Sequence, residues 1–479
     1  MLITLFVLFK VITTFKENRN LYLKYEGGKE MKKKSYKMLV LLLVLLFVSG
    51  IFISCKKEET QELTERQKAW ITDIDGQMRE AFSRAAGINE YVTDEERNER
   101  LDILINKIKT ENWSDNQIEY YIYELISDFH IAHIEFYKSD NCISEDNYLF
   151  YPIAGEWFGE DFYILTIQDY YSNCIGSKLV AINETSLKDV LICYDELVSN
   201  ETESYLKSAF ESYTRHGGLR KSDLVYFGII DSETDDVLFT FEKDGKQYEQ
   251  VISPVITDGS QKLNIENVSN KVEKLPYGYE IYTNNYLPFH YAIDKENRAL
   301  YFQYNECMDA SILGEDSGYP YFDKFMDQMI QDMKENEDII DCFVLDLRNN
   351  GGGSESLWNE AVKKYYNYLN EFPIKILIGK STFSAGVDAI DTTLYYFDDV
   401  TLYGEETGLA IHNYTGKITI ELKNTGYLLD ITGHKDRNYV IYKRTDNVNK
   451  GVLPDVEVSQ SYEDFINGVD TVYNKAVLE

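Results

Sequence analysis

Residues 339–354 read Ile-Ile-Asp-Cys-Phe-Val-Leu-Asp-Leu-Arg-Asn-Asn-Gly-Gly-Gly-Ser. From Ile339 to Leu347 the run is apolar apart from Asp341 and Asp346, the pattern of a strand buried on both faces inside a parallel sheet. Gly351, Gly352 and Gly353 then allow positive φ and a close approach of backbone N–H groups to a ligand. A helical pattern follows at once, with Leu357, Trp358, Ala361, Val362 and Leu369 on one face. Strand, glycine turn and helix together place free N–H groups at a helix start, where negative charge is stabilised. Three readings fit. A nucleotide-phosphate loop needs Gly-x4-Gly-Lys-Ser/Thr or Gly-x-Gly-x-x-Gly, and neither is present. A plain tight turn and an oxyanion hole both stay open at this point.

Working outward, the region from Ala299 alternates strand and helix. Leu300–Tyr304 reads as a strand, and Phe322–Met333 as a helix with Phe322, Phe325, Met326, Met329 and Ile330 inward. The Ile339 strand and Leu357 helix follow, then a strand at Ile374–Ile378, a helix from about Ser384 and a strand at Val400–Tyr403. That alternation is an α/β layer architecture.

The rest of the chain supplies context. At 479 residues it is long enough for two or three domains. Of 39 tyrosines and only 7 prolines one expects a globular rather than a disordered chain. Net charge is −33, and nine basic against three acidic residues precede Cys55, so the remainder carries 39 basic against 78 acidic, or −39. Such a surface repels nucleic acid and anionic headgroups, which excludes nucleic acid as a partner. The six cysteines show no CxxC spacing and the six histidines no HExxH, so no metal is expected. Cys342, inside the apolar strand, reads as a packed small hydrophobe.

Met31-Lys-Lys-Lys followed by an apolar run from Met38 to Ser54 reads as a secretory signal, with Met31 the expected true start. An uncleaved anchor helix is the alternative; either way the remainder lies outside the cytoplasm. Glu58–Arg66 reads as a charged tether, and residues 67–140 as a small helical N-terminal domain in which Leu101, Leu104, Ile105 and Ile108 share a face. The period turns toward a strand at His130-Ile-Ala-His133-Ile-Glu-Phe136. Residues 148–256 are strand-rich, with a hairpin turning at Asp244-Gly245 and one helical excursion at roughly Glu201–Tyr213. A linker is expected over 257–298, and an α/β domain over 299–479.

A second turn matters as much as the first. Gly379-Lys-Ser-Thr-Phe-Ser-Ala-Gly386 leads from a buried strand into a helix, where a serine is either an N-cap or a hydroxyl exposed to neighbouring N–H groups. Leu345-Asp-Leu-Arg-Asn-Asn-Gly-Gly-Gly resembles the hallmark of the tail-specific (C-terminal processing) and tricorn serine peptidases. Thr382-Phe-Ser-Ala resembles their nucleophile motif, Gly404-Glu-Glu-Thr-Gly the turn that follows, and Gly451-Val-Leu-Pro-Asp-Val the closing segment. The small residue before Cys55 likewise resembles a bacterial lipobox, which implies a lipidated Cys55 and a membrane-tethered mature chain in the cell envelope.

The resemblance implies a crotonase-like (ClpP-like) α/β catalytic core, and Ile175–Asn183 resembles the PDZ-type domain many members carry. It implies Ser384 as nucleophile. No Lys occurs in Glu406-Thr-Gly-Leu-Ala-Ile, so the dyad lysine of one branch is missing. The other branch uses a histidine far upstream. Phe129-His-Ile-Ala-His-Ile-Glu-Phe136 fits that frame with His133 as base, Ile131 and Ala132 replacing the usual Asp-Gly; a shifted frame would select His130. Gly351 or Gly352, with Ala385, would hold the oxyanion, Asp446 is the candidate orienting acid, and Arg348 is expected to pair with a carboxylate such as Asp346. The expected activity is an exported serine endopeptidase acting on proteins or peptides without a cofactor, with an oligomer left open. A non-catalytic binding lipoprotein on the same fold is the alternative; a crotonase-type acyl-CoA enzyme suits neither export nor the Ser motif.

Overall fold

Six strands form the central sheet: β1 (Phe289–Asp294), β2 (Ala299–Tyr304), β3 (Cys342–Asp346), β4 (Ile374–Ile378), β5 (Val400–Gly404) and β6 (Val456–Glu457). Their order in the sheet is their order in the chain; β1 runs antiparallel to β2, and the others are parallel. This is a computed structural model. It describes residues 62–478 except 140, 143–148, 216–217, 257–271, 275–285, 437–439 and 445–446. The signal segment, Met31 and Cys55 lie outside the described residues.

Parallel strands require crossovers, and helices supply three of them. Helix α1 (Phe322–Glu335) joins β2 to β3, α2 (Glu355–Leu369) joins β3 to β4, and α3 (Ala385–Tyr396) joins β4 to β5. Alternation within the strands then sorts the two faces. Leu300, Phe302, Phe343, Leu345, Ile376 and Leu402 pack under α1–α3 against Met329, Trp358 and Ile390. Ala299, Tyr301, Val344, Leu377 and Tyr403 point the other way, onto Val472 and Ala476 of the closing helix Thr471–Leu478. All five residues of β3 are buried, as its composition requires.

Two further layers flank this sheet within one compact unit that begins at Thr64. Four α-helices, Glu65–Asp73, Arg79–Arg84, Asp94–Glu111 and Asp115–Ser127, precede the strand Glu135–Lys138. Thr64 and Ser114 open two of them as capping boxes with Gln67 and Gln117. Their core of Trp70, Phe82, Leu101, Leu104 and Ile122 is completed by Tyr427, Leu429 and Ile431 from far along the chain. The register Phe136–Leu429 in an antiparallel pair explains this closure, and it pins the turn before Glu135. Asp161–Gln168, Lys178–Ile182, Val237–Lys243 and Lys246–Ile252 make an antiparallel sheet covered by the helices Leu187–Asp195 and Glu203–Arg215. The expected hairpin turns at Asp244 and Gly245, both with positive φ (51° and 70°), the two-residue geometry that suits a twisted ribbon.

The structure departs from the sequence reading in three places. Residues Glu337–Ile339 form a 3₁₀ turn, so β3 begins at Cys342, just after Asp341 pairs with Arg298. Residues 257–298 are more than a linker. Val272–Lys274 pairs with Thr166–Gln168, and β1 is the sheet's edge strand; edge position relaxes the apolar pattern that would have revealed it. A further helix, Leu187–Asp195, interrupts the strand-rich region, its start set by Ser186 capping Asp189 N–H.

Arg348 behaves as expected. Its guanidinium reaches Asp346 at 2.6 Å and Asp470 at 2.6 Å, joining the end of β3 to the closing helix. Asp346 is buried and also accepts from Tyr301 Oη at 2.8 Å. Arg348→Met is expected to cost about 3–5 kcal/mol, because it leaves two sequestered carboxylates unpaired; urea denaturation checks this, and a loss below about 1 kcal/mol would contradict it.

Candidate active site

Both motif turns leave the carboxyl ends of adjacent parallel strands, β3 and β4, where α/β sheets place their ligands. Asn350, fully buried, holds the first turn in shape and attaches it to the second. Its side-chain N–H₂ donates to Tyr304 O at 2.8 Å, and its Oδ1 accepts the Gly352 N–H at 2.9 Å. Its backbone carbonyl accepts the Phe383 N–H at 2.8 Å, immediately before Ser384. Thr382 adds a second tie through Oγ1 to Leu347 O at 2.8 Å.

Two of the three glycines are needed sterically. Gly352 and Gly353 have φ of 109° and 128°. A Cβ on Gly352 would stand 2.6 Å from Ser384 Cβ and 3.1 Å from its Oγ; on Gly353 it would strike Cys307 O at 2.5 Å. The first turn therefore lies directly against the serine.

Ser384 has φ 48° and ψ −126°, a conformation strained for any residue with a side chain. It precedes the first turn of α3, yet its hydroxyl makes no capping bond. Its Oγ thus stands at a helix N-terminus without being spent on it. Among the described residues, neither the Gly351 nor the Ala385 N–H finds a protein acceptor. Gly352 N–H, by contrast, is engaged by Asn350 Oδ1.

His133 is buried and packs its ring 4.7 Å from that of Phe383, the residue before Ser384. His130 instead is exposed and lies edge-on to Tyr91 at 5.4 Å. Neither ring nitrogen of His133 is in hydrogen-bonding geometry with a described residue. Burial pushes its imidazole down to about 4, against the opposing pull of the nearby Asp436 carboxylate and the Tyr414 backbone. The ring is therefore neutral at pH 7, the form a general base needs. Asp436 also meets Asp388, one turn beyond Ser384 on α3; burial first, and the Asp436 charge second, raise the Asp388 carboxyl well above the usual range. Asp446 lies outside the described residues. Asp436 carried no motif, and no sequence signal singled it out.

The lysines nearby are committed elsewhere. Lys380 pairs with the buried Glu211 at 3.2 Å, and Lys417 lies against Asp430 at 2.5 Å. The third and fourth motifs meet each other: Gly451 N–H donates to Glu406 Oε1 at 2.8 Å, and Val452 N–H to Thr407 Oγ1 at 2.7 Å. Gly408 N–H reaches Thr382 O at 3.1 Å, so this pair braces the serine turn from behind. Cys174, Cys193, Cys307 and Cys342 are free thiols, and burial raises the Cys307 thiol to about 12, unsuited to nucleophilic work. No cluster of His, Cys, Asp and Glu among the described residues could hold a metal ion.

No protein-family model matches the chain, and no curated protein does. Solved structures do. The crystal structure of mature CPAF aligns over 86% of this chain and 96% of its own, at 13% identity and a TM-score of 0.58. The complex of mature CPAF with lactacystin aligns over 86% and 97% at 13% identity, with a TM-score of 0.54. A photosystem II D1 C-terminal processing protease also matches, over 85% and 98% at 13% identity, with a TM-score of 0.36. The chain shares the fold of CPAF, across nearly its whole length.

Strain at Ser384 can be measured without any substrate. Ser384→Gly is expected to exceed Ser384→Ala in stability by about 1 kcal/mol, because glycine relieves the positive φ and alanine keeps it. Paired urea curves test this, and coincident midpoints would contradict it.

Proposed function

We propose that this protein is a serine peptidase of the tail-specific/tricorn type, from the branch whose base is a histidine. The single observation that carries the reading is the strained, uncapped Ser384, with Gly352 against its hydroxyl and His133 packed on the residue before it. Ser384 Oγ attacks the scissile carbonyl while His133 takes its proton, later returning it to the leaving amine. The Gly351 and Ala385 N–H groups receive the oxyanion; such a donor is worth about 3–4 kcal/mol of barrier. Asp436, whose charge favours the imidazolium, takes the orienting role that the sequence reading gave to Asp446.

In this account the sheet is a crotonase-like core, and the antiparallel layer at 153–252 is PDZ-like, presenting peptide chains by strand addition. The protein is exported and tethered by a lipid on Cys55, with proteins or peptides as substrates and no cofactor. The likeness to CPAF supports the fold on which this chemistry rests. A second reading, ligand binding without hydrolysis, draws on the unbonded nitrogens of His133. Catalytic hydrogen bonds often close only when substrate binds, so we favour hydrolysis.

Labelling with a fluorophosphonate probe separates the two. Ser384→Ala is expected to abolish labelling, His133→Ala to slow it on the order of 10²-fold or more, and His130→Ala to leave it unchanged. No labelling of the folded wild-type protein, with peptides added, would favour the binding reading. The pH profile is a separate check. Because the buried imidazole gains its proton only near pH 4, the labelling rate is expected to hold through pH 6 and fall toward 4; a fall centred at 6.5 would contradict the buried base.

A further inference from the structure

The turn that carries His133 is held from outside by one short segment. Ser199 Oγ accepts the Ile131 N–H at 2.9 Å and donates to the Ile131 carbonyl at 2.9 Å. Two residues on, Glu201 Oε1 accepts the Ala132 N–H at 3.0 Å. Thr202 Oγ1 then donates to Gly408 O at 2.6 Å, on the loop that braces the serine turn. The two amides immediately before His133 are therefore both held by residues 199–202, and the same segment reaches the serine turn through Gly408.

Glu201 stands out within this clasp. Its other oxygen, Oε2, is buried and has no partner. Among the described residues no lysine or arginine pairs with it; the titratable groups that feel its charge are the phenols of Tyr91 and Tyr205. Tyr205 in turn packs 5.0 Å from Phe383. A neutral carboxyl in this place leaves one hydroxyl unpartnered, whereas an ionised one leaves a whole charge unpaired, a far larger cost. Burial accordingly raises its carboxyl to about 8, against the lowering effect of the N–H groups that face it.

We propose that Glu201 is a positioning residue for His133: protonated, it closes the turn that carries the imidazole, and ionised, it releases that turn to water. The inference rests on the reading of His133 as the base. It assigns the proton at Oε2 a purpose, since only the neutral acid can stay buried while its Oε1 holds the Ala132 N–H.

Hydrogen–deuterium exchange on the full chain tests this without reference to activity. Protection of the Ile131 and Ala132 amides, corrected for the intrinsic pH dependence of exchange, is expected to drop about tenfold between pH 7 and pH 9 in the wild type. Glu201→Gln, which keeps an Oε1 acceptor and cannot ionise, is expected to hold its protection across that range. Glu201→Ala is expected to be poorly protected throughout. Fluorophosphonate labelling adds the functional readout: an alkaline fall near pH 8 in the wild type, absent in Glu201→Gln. Flat protection in the wild type, or the same alkaline loss in Glu201→Gln, would overturn the proposal. Exchange as expected with no labelling at any pH would leave the clasp standing and overturn the peptidase reading instead.

Discussion

Everything at this site depends on one buried amide. Asn350 uses its side chain to fold the glycine turn onto itself and its carbonyl to hold the Phe383 N–H, welding the ends of two parallel strands. Without that bond, two loops of independent flexibility would have to meet by chance. With it, the hydroxyl of Ser384 and the open N–H of Gly351 are fixed relative to the sheet. The strain at Ser384 is sustained by the same packing, since Gly386 is pressed against the Asn350 carbonyl and tolerates no side chain there.

The histidine is supplied differently. It comes from a turn between the last N-terminal helix and a strand whose partner lies almost 300 residues away, Phe136 facing Leu429. A side chain on such a turn is placed only if its backbone is held, and here the holding groups are side chains from residues 199–202. The layers thus divide the work. The parallel sheet positions Ser384, the helical layer carries His133, and the segment leading into the helix Glu203–Arg215 connects them.

Legibility in the sequence followed the physics. β3 and its turn were readable because double-sided burial enforces an apolar run and positive φ enforces glycine. The crossover helices were readable from their periodicity, as Trp358, Val362 and Met329 show. The link from Arg348 to Asp346 was readable because the partners are two residues apart; its second partner, Asp470, was not. Which of His133 and His130 turns its ring inward beside Phe383 is a property of tertiary packing. That Gly352 N–H is consumed by Asn350 was equally invisible, since glycine spacing reports backbone freedom and not hydrogen-bond direction. Glu201, Asp388 and Asp436 are ordinary acids in ordinary-looking stretches; burial distinguishes the first two, and only tertiary proximity to His133 and Asp388 distinguishes Asp436.

The central claim is that Ser384, the Gly351 and Ala385 N–H groups and His133 converge on one reacting carbonyl. A crystal structure of the protein after reaction with a fluorophosphonate tests it most directly. The account predicts a phosphonyl group on Ser384 Oγ, one phosphonyl oxygen within hydrogen-bonding distance of both N–H groups, and the His133 ring facing Oγ. An adduct on another residue, or an oxygen turned away from both N–H groups, would contradict it.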